Sequence, residues 1–171
     1  MLKEEMAKAL NEQVNKELYS SYLYLAMAAY CSDKGLGGFA NWLEVQAKEE
    51  LTHAMKIYHY INERGGRSVL KAIDIPPKDF DGVTHIFKET LKHEQFVTSC
   101  INELVDLSLK LKDHATNSFL QWFVNEQVEE EANAQEILDQ LSLIGDEGRG
   151  LFMLNKELGT RVFVDETVEA E

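Results

Sequence analysis

The sequence predicts an all-α chain: a four-helix bundle with one long crossover and a short fifth helix at the C-terminal end. Three observations predict it. The 171 residues hold two prolines, adjacent as Pro76-Pro77, so long stretches carry no helix breaker. Four of those stretches repeat apolar residues at spacings of three and four, the helical period. The breaks between them are unequal: a few residues between the first and second and between the third and fourth, but about fifteen between the second and third. Short connections make antiparallel hairpins. Helices of ~27 residues are ~40 Å long, and fifteen extended residues reach ~50 Å. The middle connection can therefore run the length of the bundle and return the third helix from the other end.

The first helix is expected over about Glu4 to Ser32, with apolar residues that include Met6, Leu10, Val14, Leu18, Leu25 and Ala28 at spacings of three and four with one double step, and Gly35, Gly37 and Gly38 break it. The second runs from about Phe39 to Arg64 on Leu43, Ala47, Ala54, Ile57 and Ile61, and Gly65-Gly66 ends it. Arg67 to Asp81 has no helical period. Asp81 is the expected N-cap of the third helix, which runs to about Leu111 with Phe87, Leu91, Val97, Ile101 and Leu104 inward. Asp113 caps the fourth, which carries Leu120, Phe123, Ala134, Ile137 and Leu141 inward and stops at Gly145. Leu151 to Leu158 reads as the fifth helix. The expected organisation is one domain over 1–171: a bundle over about 4–144, a short helix over about 147–158 and a frayed acidic tail over 159–171.

Thirty acidic residues against 17 basic give a formal charge of −13. That excludes a general nucleic-acid binder and an anionic membrane surface as partner, and favours cations. No apolar run approaches a membrane span, and the N-terminus lacks an apolar signal core, so a cytoplasmic protein is expected. Cys31 and Cys100 form no CxxC pair and read as small buried hydrophobes.

The informative residues are acids inside the apolar stripes. The inward positions run Leu10, Val14, Glu17, Ser21, Tyr24 on the first helix and Ala47, Glu50, Ala54 on the second. They run Leu91, Glu94, Val97 on the third and Phe123, Gln127, Glu130, Ala134 on the fourth. Each helix aims one glutamate at the centre, and His53 follows Glu50 by three on the same face. Counted from their turns, the four glutamates converge on one level near mid-bundle. No Lys or Arg occupies a central inward position, so a buried ion-pair cluster fails on inventory. Unpaired buried carboxylates cost several kcal/mol each, so they are protonated or bind cations. Glutamates with one imidazole suit iron or manganese. Glu49, Glu126 and Glu129 lie beside these positions, where a solvated face and an additional cation site are both open readings. Tyr24 reads as a core tyrosine, or as one that orients a ligand or donates an electron. The other histidines, His59, His85, His93 and His114, read as surface or core.

With these residues in place, the chain resembles the non-haem bacterial ferritins. The matching segments are NKELYSSYLY with Glu17 and Tyr24, KEELTH with Glu49, Glu50 and His53, KHEQ with Glu94, and FLQWFVNEQVEEE with Glu126, Gln127, Glu129 and Glu130. The resemblance covers nearly the whole chain and implies the ferritin-like form of the bundle. It implies a di-iron centre, with Glu17, Glu50 and His53 at the first iron and Glu50, Glu94 and Glu130 at the second, beside Gln127. It implies a third iron site of Glu49, Glu126, Glu129 and Glu130. It further implies ferroxidase activity, Fe(II) being oxidised by O₂ or peroxide, and ferric mineral stored in a homo-oligomeric shell of 24 subunits. Three residues depart from related patterns. Asn133 stands where a second ExxH would place a histidine, unlike bacterioferritins and di-iron oxygenases. Leu51 stands where bacterioferritin carries a haem-binding methionine, so no haem is expected. Asn117 and Leu120 stand where animal ferritins carry acidic pore residues. The competing readings are a soluble di-iron oxidase acting on an organic substrate and a non-catalytic helical interaction bundle.

Overall fold

The structure, a computed structural model, describes residues 1–145, 147–165 and 167. Its elements are α1 (Glu4–Asp33), α2 (Gly37–Glu63), α3 (Val83–Lys110), α4 (His114–Ile144) and α5 (Gly148–Leu158), and helices are the only regular elements among the described residues. No helix among these is long and apolar enough to cross a membrane. Of the tail expected to fray, residues 166 and 168–171 lie outside the described set.

The long connection can be followed by its hydrogen bonds. It leaves α2 beside the start of the chain, where the Leu2 amide donates to the Arg64 carbonyl at 3.0 Å. It then climbs α1: the Val69 amide donates to Asn11 Oδ1 at 2.6 Å, and Lys71 pairs with Glu12. It arrives at the far end of α1, where Phe80 meets Tyr30 with ring centroids 5.5 Å apart. Helix α3 then runs back down, and Lys110 ends 3.3 Å from Glu5. This is the one-crossover four-helix bundle that the connection lengths predict.

Asp113 caps α4 as expected, accepting from the Thr116 amide at 3.2 Å and from its hydroxyl at 2.8 Å. Asp81 does not cap α3. The cap is Gly82 at φ 87, a conformation that costs glycine little, while the Asp81 amide turns to His85 Nδ1 at 3.1 Å. Helix α2 begins at Gly37, two residues before the expected start, because its first amides find a partner elsewhere. Asn155 Oδ1 of α5 accepts from Gly38 at 2.8 Å and from Phe39 at 3.2 Å. Two members of the apolar series of α1 lie off its buried face: Leu25 is 48% exposed, and Leu18 is half-buried. At 100° per residue Leu25 lies about 80° round the helix from Glu17, on its flank.

The apolar core is divided in two. One cluster, with Tyr24, Met27, Phe39, Leu43 and Phe87, fills the end near α5. The other, with Leu10, Ile57, Ile61, Ile101 and Phe123, fills the opposite end. The buried layer between them is polar.

Candidate metal centre

That layer holds Glu17, Glu50, His53, Glu94, Gln127 and Glu130, each no more than 4% exposed. Helical phase puts them there: each sits in line with apolar residues that must be buried, so burying the stripe buries the acid. Among the described residues, no lysine or arginine pairs with any of the four glutamates.

The side chains converge as three linked triads: Glu17, Glu50 and His53; Glu50, Glu94 and Glu130; and His53, Glu126 and Glu130. In each, one donor atom per residue lies within 4.8 Å of the others. Glu50, His53 and Glu130 each belong to two triads. His53 faces both ways, with Nδ1 3.7 Å from Glu50 and Nε2 3.9 Å from Glu126.

The hydrogen bonds leave acceptor capacity free. Glu17 Oε1 accepts from Gln13 Nε2 at 2.7 Å, while Glu17 Oε2 is buried with no partner. Glu94 accepts from the Tyr24 hydroxyl and, through Oε2, from Gln127 Nε2 at 3.2 Å. Gln46 Nε2 donates to Glu130 Oε2 at 2.6 Å and to Glu50 Oε1 at 3.3 Å.

Burial governs the electrostatics. It raises the Glu17 carboxyl above its ordinary pKa. It raises Glu50 and Glu130 much further, with the neighbouring carboxylates, Glu94 first, adding to the effect. Burial pushes Glu94 up to about 7. It pushes His53 down to about 4, leaving a neutral imidazole at neutral pH. Burial, followed by the nearby carboxylates, also raises Tyr24, which stays a phenol. A cation entering this layer would find acids poised to release protons, a neutral imidazole and an unpartnered oxygen. The donor set therefore fits a pair of hard divalent or trivalent ions.

The residues expected around the first and second irons thus come together. Those expected around the third do so in part. Glu126 joins Glu130 and His53, whereas Glu129 is exposed and Glu49 pairs with Arg161 at 2.6 Å. Sequence reasoning missed Gln13, Gln46 and Arg161. The glutamines carried a readable signal, since each precedes an inward glutamate by four residues on the same helix face. Arg161 carried none, because it reaches Gln46 and Glu49 from beyond the bundle. His93 is partly buried: desolvation lowers its pKa to about 4, and its Nε2 lies 2.8 Å from Ser20 Oγ.

Fold and site together define a helical-bundle protein with a carboxylate-rich centre suited to a pair of metal ions. The family model described as Ferritin-like domain matches residues 7–144. A bacterial non-heme ferritin of Staphylococcus aureus is 45% identical over 166 residues, 97% of this chain and all of its own. Another, of Staphylococcus saprophyticus, is 47% identical over 163 residues, 95% of this chain and 98% of its own. A solved structure of Archaeoglobus fulgidus ferritin, engineered to a closed form, superposes with a TM-score of 0.95 at 49% identity, covering 96% of this chain and 100% of that one. The chain belongs to the ferritin family. Membership and relatives support iron storage as its role.

Proposed function

We propose that this chain is the subunit of an iron store that oxidises Fe(II) at its mid-bundle centre and keeps the ferric product in a shell of 24 copies. The observation that carries the reading is the sharing of Glu50 between two buried triads. One carboxylate placed between two cations holds them close, and its charge favours the more oxidised pair. Glu17 and His53 complete one side, and Glu94 and Glu130 the other. Two Fe(II) ions supply two electrons, which with two protons take O₂ to H₂O₂ or H₂O₂ to water. Glu94 can accept or release a proton near neutral pH. Gln127, Gln46 and Gln13 hold the carboxylates in place by donating to them. The Tyr24 hydroxyl points at Glu94, where it either orients that ligand or supplies an electron. The third triad supports an additional cation site of Glu126 and Glu130, with Glu49 and Glu129 brought in from the rim. Iron is substrate and cargo here, no haem takes part, and the workplace is the cytoplasm.

The test is anaerobic Fe(II) loading followed by air. About two Fe(II) per chain should oxidise faster than in buffer, and Glu50→Ala should abolish this fast phase while the chain still folds. Oxidation no faster than in buffer would refute the ferroxidase reading. His53→Ala should slow the first oxidation step by about tenfold or more and leave assembly intact, as expected for loss of one ligand.

A further inference from the structure

Lys16 of α1 and Lys56 of α2 lie near Glu17 and His53 without pairing with them, and a guanidinium from outside the bundle reaches the rim of the centre at Gln46 and Glu49. Arg161 lies three residues beyond α5, in a segment fastened to α2 by Asn41, whose Nδ2 donates to the Leu158 carbonyl at 3.2 Å and to the Arg161 carbonyl at 2.9 Å. From there the side chain lies over the Trp42 ring, 4.4 Å from its centroid. Its Nη1 donates to Gln46 Oε1 at 2.9 Å and to the Trp42 carbonyl at 3.3 Å, and its Nη2 donates to Glu49 Oε2 at 2.6 Å. Further along α2, Lys56 Nζ donates to the Thr167 carbonyl at 3.3 Å. Residues 159–165 therefore form a strap beside the turn of α2 that carries Glu49, Glu50 and His53.

Glu49 lies close enough to Glu130 to raise its pKa, and Arg161 close enough to lower it. The guanidinium thus sits in the field of the triad formed by His53, Glu126 and Glu130. While it holds Glu49, that carboxylate is absent from the triad, and a positive charge stands beside the place a further cation would take. We propose that Arg161 is a built-in cation that competes with a third metal ion for Glu49, so that filling the third position releases the C-terminal strap. This inference rests on reading that triad as a cation site. Arg161 is a positioning residue: it acts through Glu49 and through Gln46, whose amide it orients with both N–H bonds toward Glu50 and Glu130.

The experiment titrates the intact assembled protein with Zn(II), which binds without redox chemistry. Binding is read by calorimetry, and the strap by hydrogen exchange of residues 159–165. The first two equivalents per chain should leave strap protection unchanged, and the third should lower it. Arg161→Gln should tighten the third step by about tenfold, since it removes a like charge from the cation's surroundings. Arg161→Lys keeps the charge but loses the fork, and should hold the third step near the wild-type value. A purely structural clamp would make the Lys and Gln variants behave alike. A third ion that binds without loosening the strap, or with an affinity unaffected by Arg161→Gln, overturns this inference alone. No Zn(II) bound at any position overturns it together with the proposed centre.

Discussion

At the residue scale the centre is governed by burial without counter-charge, and this has a signed consequence for pH. Glu94 keeps its proton up to about 7, above the ordinary carboxylate range. The metal-free native state therefore binds a proton that the unfolded chain has released. By linkage, the stability this contributes is full below the ordinary carboxylate pKa and is lost as pH rises through about 7. His53 acts with the opposite sign: its pKa falls to about 4, so its contribution is lost as pH falls from about 6.5 toward that value. His93, also lowered to about 4 by burial, acts with His53, but Glu17, Glu50 and Glu130 are raised as Glu94 is, so four carboxyls stand against two imidazoles and the loss on raising the pH prevails. Metal-free protein should thus lose stability as the pH rises from the ordinary carboxylate range through about 7, as followed by denaturant unfolding, and Zn(II) should cancel the loss. Zn(II) binding should also release protons at pH 6.5, visible as calorimetric heats that depend on the buffer. His53 should contribute none of these protons, being neutral already. The exposed Glu129 stands apart from the triads. Glu129→Ala should spare the first round of Fe(II) oxidation and alter later rounds, read in repeated additions.

At the element scale, α5 and α2 hold each other by a contact only glycine permits. A Cβ on Gly38 would lie 1.5 Å from the Asn155 carbonyl oxygen and 3.0 Å from the Gly159 nitrogen. Both are backbone atoms, so α5 would have to move and its Asn155 would lose the first amides of α2. Gly38→Ala should cost about 2–4 kcal/mol, from overpacking plus a lost cap, seen as a melting temperature lower by roughly 5–10 °C. A Cβ on Gly37 meets open space. Gly37→Ala should therefore be neutral or slightly stabilising, and it controls for helix propensity. The strap follows directly from α5, so Gly38→Ala should also raise hydrogen exchange at Arg161.

At the scale of the whole molecule, one bundle encloses no space for a mineral, so storage requires assembly. The proposed shell of twenty-four chains of 19.5 kDa would be a particle of about 470 kDa, which size-exclusion chromatography with light scattering distinguishes from a dimeric oxidase. The surplus of thirteen negative charges also takes on a more specific meaning. Part of it is a solvated coat, but Glu17, Glu50, Glu94 and Glu130 are buried in the polar layer, where protons or bound cations neutralise them.

The sequence by itself determined the bundle, its one crossover and the inward glutamates. Helical period and connection length are local properties, readable along the chain and independent of distant contacts. The phase that aims Glu17, Glu50, Glu94 and Glu130 inward is set by the apolar residues on the same stripe. For the same reason the Gln-to-Glu spacing of four was available to be read. Tertiary structure alone decided what reaches the centre from elsewhere. The α2 cap comes from Asn155, 117 residues from the amide it satisfies. The guanidinium that pairs with Glu49 comes from Arg161, 112 residues away. Neither follows from periodicity, because each depends on how α5 docks across α2, and that docking depends on a close approach at Gly38 that only folded coordinates reveal. The proposed third cation position was half legible for the same reason: its helical acids could be phased, but the arginine paired with Glu49 lay on a segment with no period to read.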